Sequence, residues 1–307
     1  MNILITGATG FIGSHVAEAF LNAGHKLLLS KRTTSDLWRC NSFIEKVDWT
    51  NTDANNFEND VYNFVPEIII NCAWDGVSAD KRNIWQVQIN NLIYQQRLLN
   101  LAAQTKIKKF IGIGSQAEYG KFEGKIDESY PPNPDSSYGA IKLAAYTILK
   151  AFCNENDINW YWFRVFSCFG ERESENWLIP SSVKKILYSK EMNLTSGEQQ
   201  YSYLYIKDLA NLVVKAAESN AENGVYHIAS ENLRSLKTIL LKIKNYLDPD
   251  FRLNFGYIPY RRNQSMINGS INTKTKQAFG RFEISDFDEM LIRTIEYYKK
   301  YYYNERQ

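Results

Sequence analysis

The sequence predicts an α/β fold: a doubly wound, mostly parallel sheet of seven strands, with a smaller C-terminal α/β lobe closing over one edge. Two observations predict it. Through the first half of the chain, short apolar runs alternate with helical patterns, the rhythm of repeated strand–helix units feeding a parallel sheet. The runs are continuously apolar rather than alternating, as strands read when helices cover both faces of their sheet.

Taken in order, strands are expected at 2–6, 26–30, 43–47, 67–71, 109–113 and 159–165. Helices fill the gaps at 11–23, 55–64, 80–104 and 136–156. The first strand, Asn2-Ile-Leu-Ile-Thr6, runs straight into Gly7. After Val165 the rhythm breaks. Residues 168–200 are more polar, 207–219 then reads as a helix, and a short strand follows at 225–228. A further helix lies near 235–246, an irregular stretch runs through Arg261 and Arg262, and a last helix starts at Asp286. Its tyrosine-rich run, 297–303, has helix spacing and is expected to be a packed, partly exposed helix end.

Composition narrows the function classes. With 44% hydrophobic and 23% charged residues in a 307-residue chain, a large core is available. A net charge of +2 argues against nucleic-acid binding as the main role, while leaving room for a local basic patch. Cys40, Cys72, Cys153 and Cys168 are widely spaced, so free thiols are expected and no metal site. The N-terminal apolar run is too short for a signal peptide and lacks its basic flank. No stretch is long enough to span a bilayer, so a soluble, cytoplasmic protein is expected.

Gly7-Ala-Thr-Gly10-Phe-Ile-Gly13 directly follows the first strand and opens a helix. Gly7 permits the tight turn, Gly10 lets the backbone approach a pyrophosphate, and Gly13 lets the helix pack closely on the strand. The helix N-terminus offers unpaired N–H groups and positive dipole to the phosphates. A glycine pattern alone is weak, and its place at a strand–turn–helix junction is what raises it to a dinucleotide site.

The spacing GxxGxxG, in the form Gly-Ala-Thr-Gly-Phe-Ile-Gly, resembles the extended short-chain dehydrogenase/reductase family, many of whose members act on nucleotide sugars. The resemblance implies a Rossmann domain at 1–167, with 201–229 returning to it, and a substrate-binding lobe formed by 168–200 and 230–307. It implies nicotinamide-dinucleotide contacts from Gly7, Thr9, Gly10, Phe11, Ile12 and Gly13, and places Asp48-Trp49 beside the adenine. Cys72, Ala73, Trp74, Asn91 and Val165 are further cofactor positions on the same ground. The second strand ends Ser30-Lys31-Arg32, where an NAD-preferring enzyme carries a carboxylate for the ribose 2′-hydroxyl. Two cations there suit a 2′-phosphate, with Ser30 or Thr33 donating, so NADP is expected over NAD.

Tyr138 and Lys142 stand four residues apart on one helix face. A nearby ammonium favours the phenolate, and such a tyrosine can give a proton to a carbonyl oxygen or take one from a hydroxyl. Tyr146/Lys150 and Tyr203/Lys207 share the spacing. Tyr138 is singled out by opening a helix after Gly114-Ser-Gln-Ala-Glu-Tyr-Gly120, at the distance the family uses. The resemblance makes Ser115 the third member, Lys142 a further partner of the nicotinamide ribose, and Ser115/Tyr138/Lys142 the catalytic set.

Dehydratases of the family carry Thr-Asp-Glu where this chain has Ser115-Gln116-Ala117, so elimination lacks its carboxylates. The basic turn and the Gly-Ser-Gln-Ala-Glu-Tyr-Gly stretch resemble reductases of nucleotide-linked 4-keto-6-deoxyhexoses in deoxysugar biosynthesis. An epimerase with tightly bound cofactor and a non-catalytic dinucleotide sensor are the rivals. Substrate contacts are expected from Ser115, Gln116, Ser167, Tyr201 and Arg262, the last preferred to Arg261 for a diphosphate. Asp208 is expected to be a cap or domain tie, and His15, His25 and His227 to be structural. The family resemblance also implies a homodimer through helices 80–104 and 136–156.

Overall fold

The computed structural model describes residues 1–261 and 264–304. The chain opens with β1 (Asn2–Thr6), α1 (Phe11–Asn22), β2 (Lys26–Lys31), β3 (Asp48–Asn51), α2 (Phe57–Phe64), β4 (Ile68–Asn71) and α3 (Trp85–Gln104). It continues through β5 (Lys109–Ser115), β6 (Gly124–Ile126), α4 (Ser137–Glu155), β7 (Asn159–Val165), β8 (Ser167–Phe169) and α5 (Leu178–Tyr188). Then come β9 (Glu191–Leu194), β10 (Gln200–Tyr205), α6 (Ile206–Glu218), β11 (Gly224–Ile228), β12 (Leu233–Ser235) and α7 (Leu236–Leu247). β13 (Arg252–Phe255), β14 (Ile267–Ser270), α8 (Thr273–Phe279) and α9 (Phe287–Asn304) complete it.

Among the described residues, seven strands form one sheet in the order β3-β2-β1-β4-β5-β7-β11. Every pairing in it is parallel. Alternate residues of one strand reach opposite faces. Ile3, Ile5, Leu27 and Leu29 join the cluster under α1 and α6, while Leu4, Leu28 and Ile69 join the cluster under α2, α3 and α4. This two-sided burial is why the strands read as unbroken apolar runs. Each fully buried leucine or isoleucine contributes about 1.5–3 kcal/mol relative to exposure, so the sheet order is strongly held.

The order reverses between β1 and β4, opening a crevice at the carboxyl ends of the strands. There the Thr6 hydroxyl donates to Asn71 Oδ1 at 2.7 Å, and the same oxygen accepts from the Ala73 N–H at 3.2 Å. The two strand ends are thus tied together across the switch point.

The third strand is a correction. Residues 43–47 were expected to form it, but Ile44–Lys46 make a single 3₁₀ turn and the strand is Asp48–Asn51. Phe43 is buried in the core beside Cys40. An edge strand needs no apolar run of its own: of the four residues in β3, Thr50 alone is buried, and the pairing with β2 is carried by the backbone.

A second sheet runs β12-β10-β14-β6, with β8 pairing β10, and β13 pairs β9. α5, which the sequence reading passed over, buries Ile179, Val183 and Ile186 on one face. Asp208 ties the start of α6 to the segment before α9, accepting from the N–H groups of Ile284 at 3.2 Å and Ser285 at 3.1 Å. In α9, Tyr298 and Tyr302 are buried and Tyr303 is exposed, the expected packed but partly open helix end. Among the described residues no helix is long and apolar enough to cross a membrane.

Candidate active site

The glycine turn has the shape its sequence demands. Gly7 adopts a positive φ of 67°, and a Cβ there would lie 2.6 Å from the Ala73 backbone. A Cβ at Gly13 would come within 2.1 Å of the Gly7 carbonyl oxygen, so α1 seats directly on the turn. Gly10 caps α1 with no side-chain hydrogen bond, and the first turn of the helix carries no acidic residue. The N-terminal N–H groups therefore face outward unquenched.

The turn opens onto a cavity of about 320 Å³ lined by Gly7, Thr9 and Gly10, by Ser30, Lys31 and Arg32, and by Cys72, Ala73, Trp74 and Asn91. Ten expected cofactor positions thus share one wall. Ser35, Thr52, Asp75, Asn90 and Tyr94 complete the lining and were not foreseen. Closely approaching backbone, an open helix end and basic side chains fit a dinucleotide diphosphate.

Phe11, Ile12 and Gly13 form the first turn of α1 behind the cavity wall. Val165 ends β7 in register with Ser115. Asp48 is a correction. It begins β3 opposite Leu28 and lines a depression with Gly24, Lys26 and Lys46, at the opposite end of the strands from the crevice. Trp49 donates its indole N–H to the Ile44 carbonyl and lies under the Lys31 ammonium at 5.7 Å, without lining the cavity. Because β3 starts five residues later than expected, Thr52 rather than Asp48 reaches the crevice.

The basic turn is less purely basic than its sequence. The Arg32 guanidinium lies 3.8 Å from the Asp75 carboxylate, with both side chains more than half exposed. Thr33 gives its N–H and its hydroxyl to Asp53, all at 3.0 Å. These two carboxylates come from segments distant in sequence.

Ser115, Tyr138 and Lys142 converge at the carboxyl end of β5. Ser136 caps α4 by accepting from the Gly139 N–H at 3.2 Å. A Cβ on Gly139 would strike the Ala117 carbonyl oxygen at 2.2 Å, so the glycine between Tyr138 and Lys142 lets α4 press against the Ser115 turn. Tyr138 is thereby brought within electrostatic reach of the Ser115 side chain. Lys142 is buried, donates to the Ile113 carbonyl at 2.6 Å, and sits 3.6 Å over the Trp74 ring and 6.0 Å from the Tyr138 ring centre. Burial pulls its ammonium down to about 7, against an upward pull from Glu118. Burial pushes the Tyr138 phenol up, opposed first by Arg82 and then by Ser115.

Neither rival tyrosine–lysine pair has this setting. Tyr203 lies in β10 while Lys207 lies in α6, so they do not share a helix face. Tyr146 packs against Trp160 and Trp162, and Lys150 is exposed.

Sequence reasoning missed Arg82, whose guanidinium stacks on the Tyr138 ring at 4.2 Å. Nothing in the local pattern marks it, since the contact joins the loop before α3 to the start of α4. The expected substrate positions are spread. Gln116 accepts from Asn268 at 3.2 Å, Ser167 opens β8 opposite Tyr203, and Tyr201 donates to the Ser265 carbonyl at 3.2 Å. Arg262 lies outside the described residues, while the exposed Arg261 is within electrostatic reach of Tyr201. His15 and His227 are buried in hydrogen-bonded structural settings, and His25 pairs with Glu218.

A model of the NAD dependent epimerase/dehydratase family matches residues 3–229. The chain is 26% identical to the dTDP-6-deoxy-L-talose 4-dehydrogenase (NAD(+)) of Aggregatibacter actinomycetemcomitans, over 87% of this chain and 98% of that protein. It is also 26% identical to the CDP-abequose synthase of Salmonella muenchen, over 86% of this chain and 87% of that one. In fold it is similar to the UDP-glucose 4-epimerase of Thermotoga maritima, solved with UDP-glucose, at a TM-score of 0.88 and 22% identity, covering 98% of this chain and all of the other.

Proposed function

The chain belongs to the NAD dependent epimerase/dehydratase family, and within it we propose that the protein is an NADPH-dependent reductase of a nucleotide-linked keto sugar, acting at C4 of a 4-keto-6-deoxyhexose. The observation that carries this reading is the buried Tyr138 phenol pressed against the Ser115 turn at the strand edge, with the buried Lys142 on the same helix beside it. The name of the first relative, a dTDP-6-deoxy-L-talose 4-dehydrogenase, points to the 4-position of a deoxyhexose.

When bound along the glycine turn, the dinucleotide supplies the hydride. Tyr138 gives its proton to the developing alkoxide, and Ser115 hydrogen-bonds the same oxygen and orients it. The raised phenol pKa keeps that proton in place at neutral pH, as a proton donor requires. Lys142 stands beside the phenol on the same helix face and would hold the ribose of a bound dinucleotide. Gln116 and Ala117 offer no carboxylate for eliminating a hydroxyl, so reduction is favoured over dehydration.

Residues 168–200 and 230–307 serve the nucleotide-sugar, and 1–167 with 201–229 the cofactor. A homodimer is proposed through α3 and α4, where Trp85, Ile89 and Ile93 recur at helix spacing on α3 and Ile148 lies on α4, all exposed. A sedimenting monomer at micromolar concentration would contradict it.

A second reading is a nucleotide-sugar epimerase that keeps its dinucleotide through turnover. The carboxylates Asp53 and Asp75 beside the basic turn favour it, since they suit a ribose hydroxyl better than a phosphate. The test is NADPH consumption with dTDP- and CDP-4-keto-6-deoxyglucose, with NADH and a Tyr138→Phe variant alongside. Stoichiometric, Tyr138-dependent oxidation supports the reductase. An isomerised sugar with no net oxidation supports the epimerase, and no turnover of any nucleotide sugar leaves a dinucleotide sensor.

A further inference from the structure

Arg82, in the loop before α3, lies over the face of the Tyr138 ring, yet no step above uses it. Its guanidinium is 4.2 Å from the ring centre, against 6.0 Å for the Lys142 ammonium, so it is the nearer of these two cations. The backbone holds it there. Its N–H donates to the Ser78 carbonyl at 2.8 Å, and its carbonyl accepts from the hydroxyl of Ser137, which opens α4, at 3.1 Å. Gln88 braces the same loop, donating to the Gly76 carbonyl at 2.8 Å and accepting from the Trp74 indole at 2.9 Å. The Trp74 ring meets Tyr138 edge-on at 6.2 Å.

The charge of Arg82 is unanswered by the protein. Among the described residues its guanidinium has neither a carboxylate partner nor a hydrogen-bond acceptor. Other groups around Tyr138 are already satisfied or neutral. Glu118, in the turn after β5, is paired with Arg164 at 2.7 Å, and burial keeps the Cys168 thiol of β8 uncharged. Ser115 carries no charge. Lys142, on the same helix as Tyr138, is drawn down to about 7 by burial and donates to the Ile113 carbonyl at 2.6 Å. An arginine stays charged at every working pH. Over a neutral phenol its stacking is a weak attraction, and over a phenolate it becomes the attraction of opposite charges.

We propose that Arg82 is a positioning residue for the reaction: stacked on the Tyr138 ring, its permanent charge holds the phenolate left when Tyr138 gives up its proton. This rests on the role proposed above for Tyr138. In that step the phenol O–H bond breaks, the proton passes to the developing alkoxide, and the electron pair stays on the phenolate oxygen until water returns a proton. A cation fixed before the step begins favours the charged product over the neutral phenol. Burial raises the Tyr138 phenol, and Arg82 is the foremost influence opposing that rise.

The experiment places 3,5-difluorotyrosine at Tyr138 of the full-length protein through a suppressed codon and follows its ionisation by ¹⁹F NMR. The fluorines acidify the phenol into the pH range of the folded protein and give a signal that belongs to this residue alone. Arg82→Met keeps an apolar stem against the ring and removes the charge. It should raise the midpoint by about one pH unit, the lower end for a cation at this range because Arg82 is half-exposed. Lys142→Met should raise it by less, and Arg82→Lys should recover part of the shift. An unchanged midpoint in Arg82→Met, no recovery in Arg82→Lys, or a larger shift from Lys142→Met overturns the proposal. A merely structural loop contact would alter melting and leave the phenol where it was. The titration needs no substrate. A shifted phenol with no ketoreductase activity would refute the reaction assignment alone, and an unshifted phenol in a working reductase would refute the role of Arg82 alone.

Discussion

Replacing Arg32 by alanine tests the basic turn directly. In the structure the guanidinium leans on Asp75 at 3.8 Å, with 65% of the arginine side chain and 56% of the aspartate exposed. An exposed pair of that kind contributes at most about 1 kcal/mol, so the arginine can turn to a 2′-phosphate at little cost. A charge-assisted hydrogen bond to phosphate is worth about 1.5–3 kcal/mol. Converted to affinity, that is roughly 10- to 150-fold in Kd. Arg32→Ala should weaken NADPH by about that factor and leave NADH almost untouched, as read from the quenching of protein fluorescence on titration. Lys31→Ala should matter less, because its ammonium lies over the Trp49 ring. Equal losses for both dinucleotides, or a wild-type preference for NADH, would refute the reasoning and leave Asp53 and Asp75 as the ribose partners.

Two further perturbations follow from the geometry. In Gly13→Ala the new methyl would meet the Gly7 carbonyl at 2.1 Å, so α1 must lift by about 1.3 Å or more to reach ordinary contact. Denaturant unfolding should show a loss of about 1–3 kcal/mol, with NADPH and NADH weakened alike; wild-type stability would count against the close seating of the helix. Burial holds His15 and His227 down at about 3, against an ordinary 6.5. The unfolded chain therefore binds more protons between those values, and stability should fall as pH drops through that window. At pH 5 the loss is up to about 2 kcal/mol per histidine. Urea unfolding of His227→Gln at pH 7.5 and pH 5 should show a smaller drop than wild type, and identical drops would dismiss the buried neutral histidine.

Much of the cofactor half was legible because its signals are local. The glycine turn is a contiguous strand–turn–helix segment whose sterics are written in seven neighbouring residues, and it folds as the spacing implies. Tyr138 and Lys142 were likewise readable, since one helix carries both. The third strand was misplaced because Phe43 and Val47 resemble strand residues, while the actual edge strand, Asp48-Trp-Thr-Asn51, has no apolar run. The strands of the second sheet are short and polar for the same reason, and gave no periodic signal.

By itself the sequence determined the doubly wound sheet, the glycine turn and the tyrosine–lysine helix, because each rests on periodicity or steric demands within a few residues. Only the tertiary structure decided which charges face that machinery. Arg82 stacks on the tyrosine, Glu118 and Arg164 form a buried pair behind the serine, and Asp53 and Asp75 stand beside the basic turn. Those pairings join segments up to 56 residues apart, as Arg82 and Tyr138 show, and a charge carries no mark in sequence of the partner it will meet once strands from different units lie side by side.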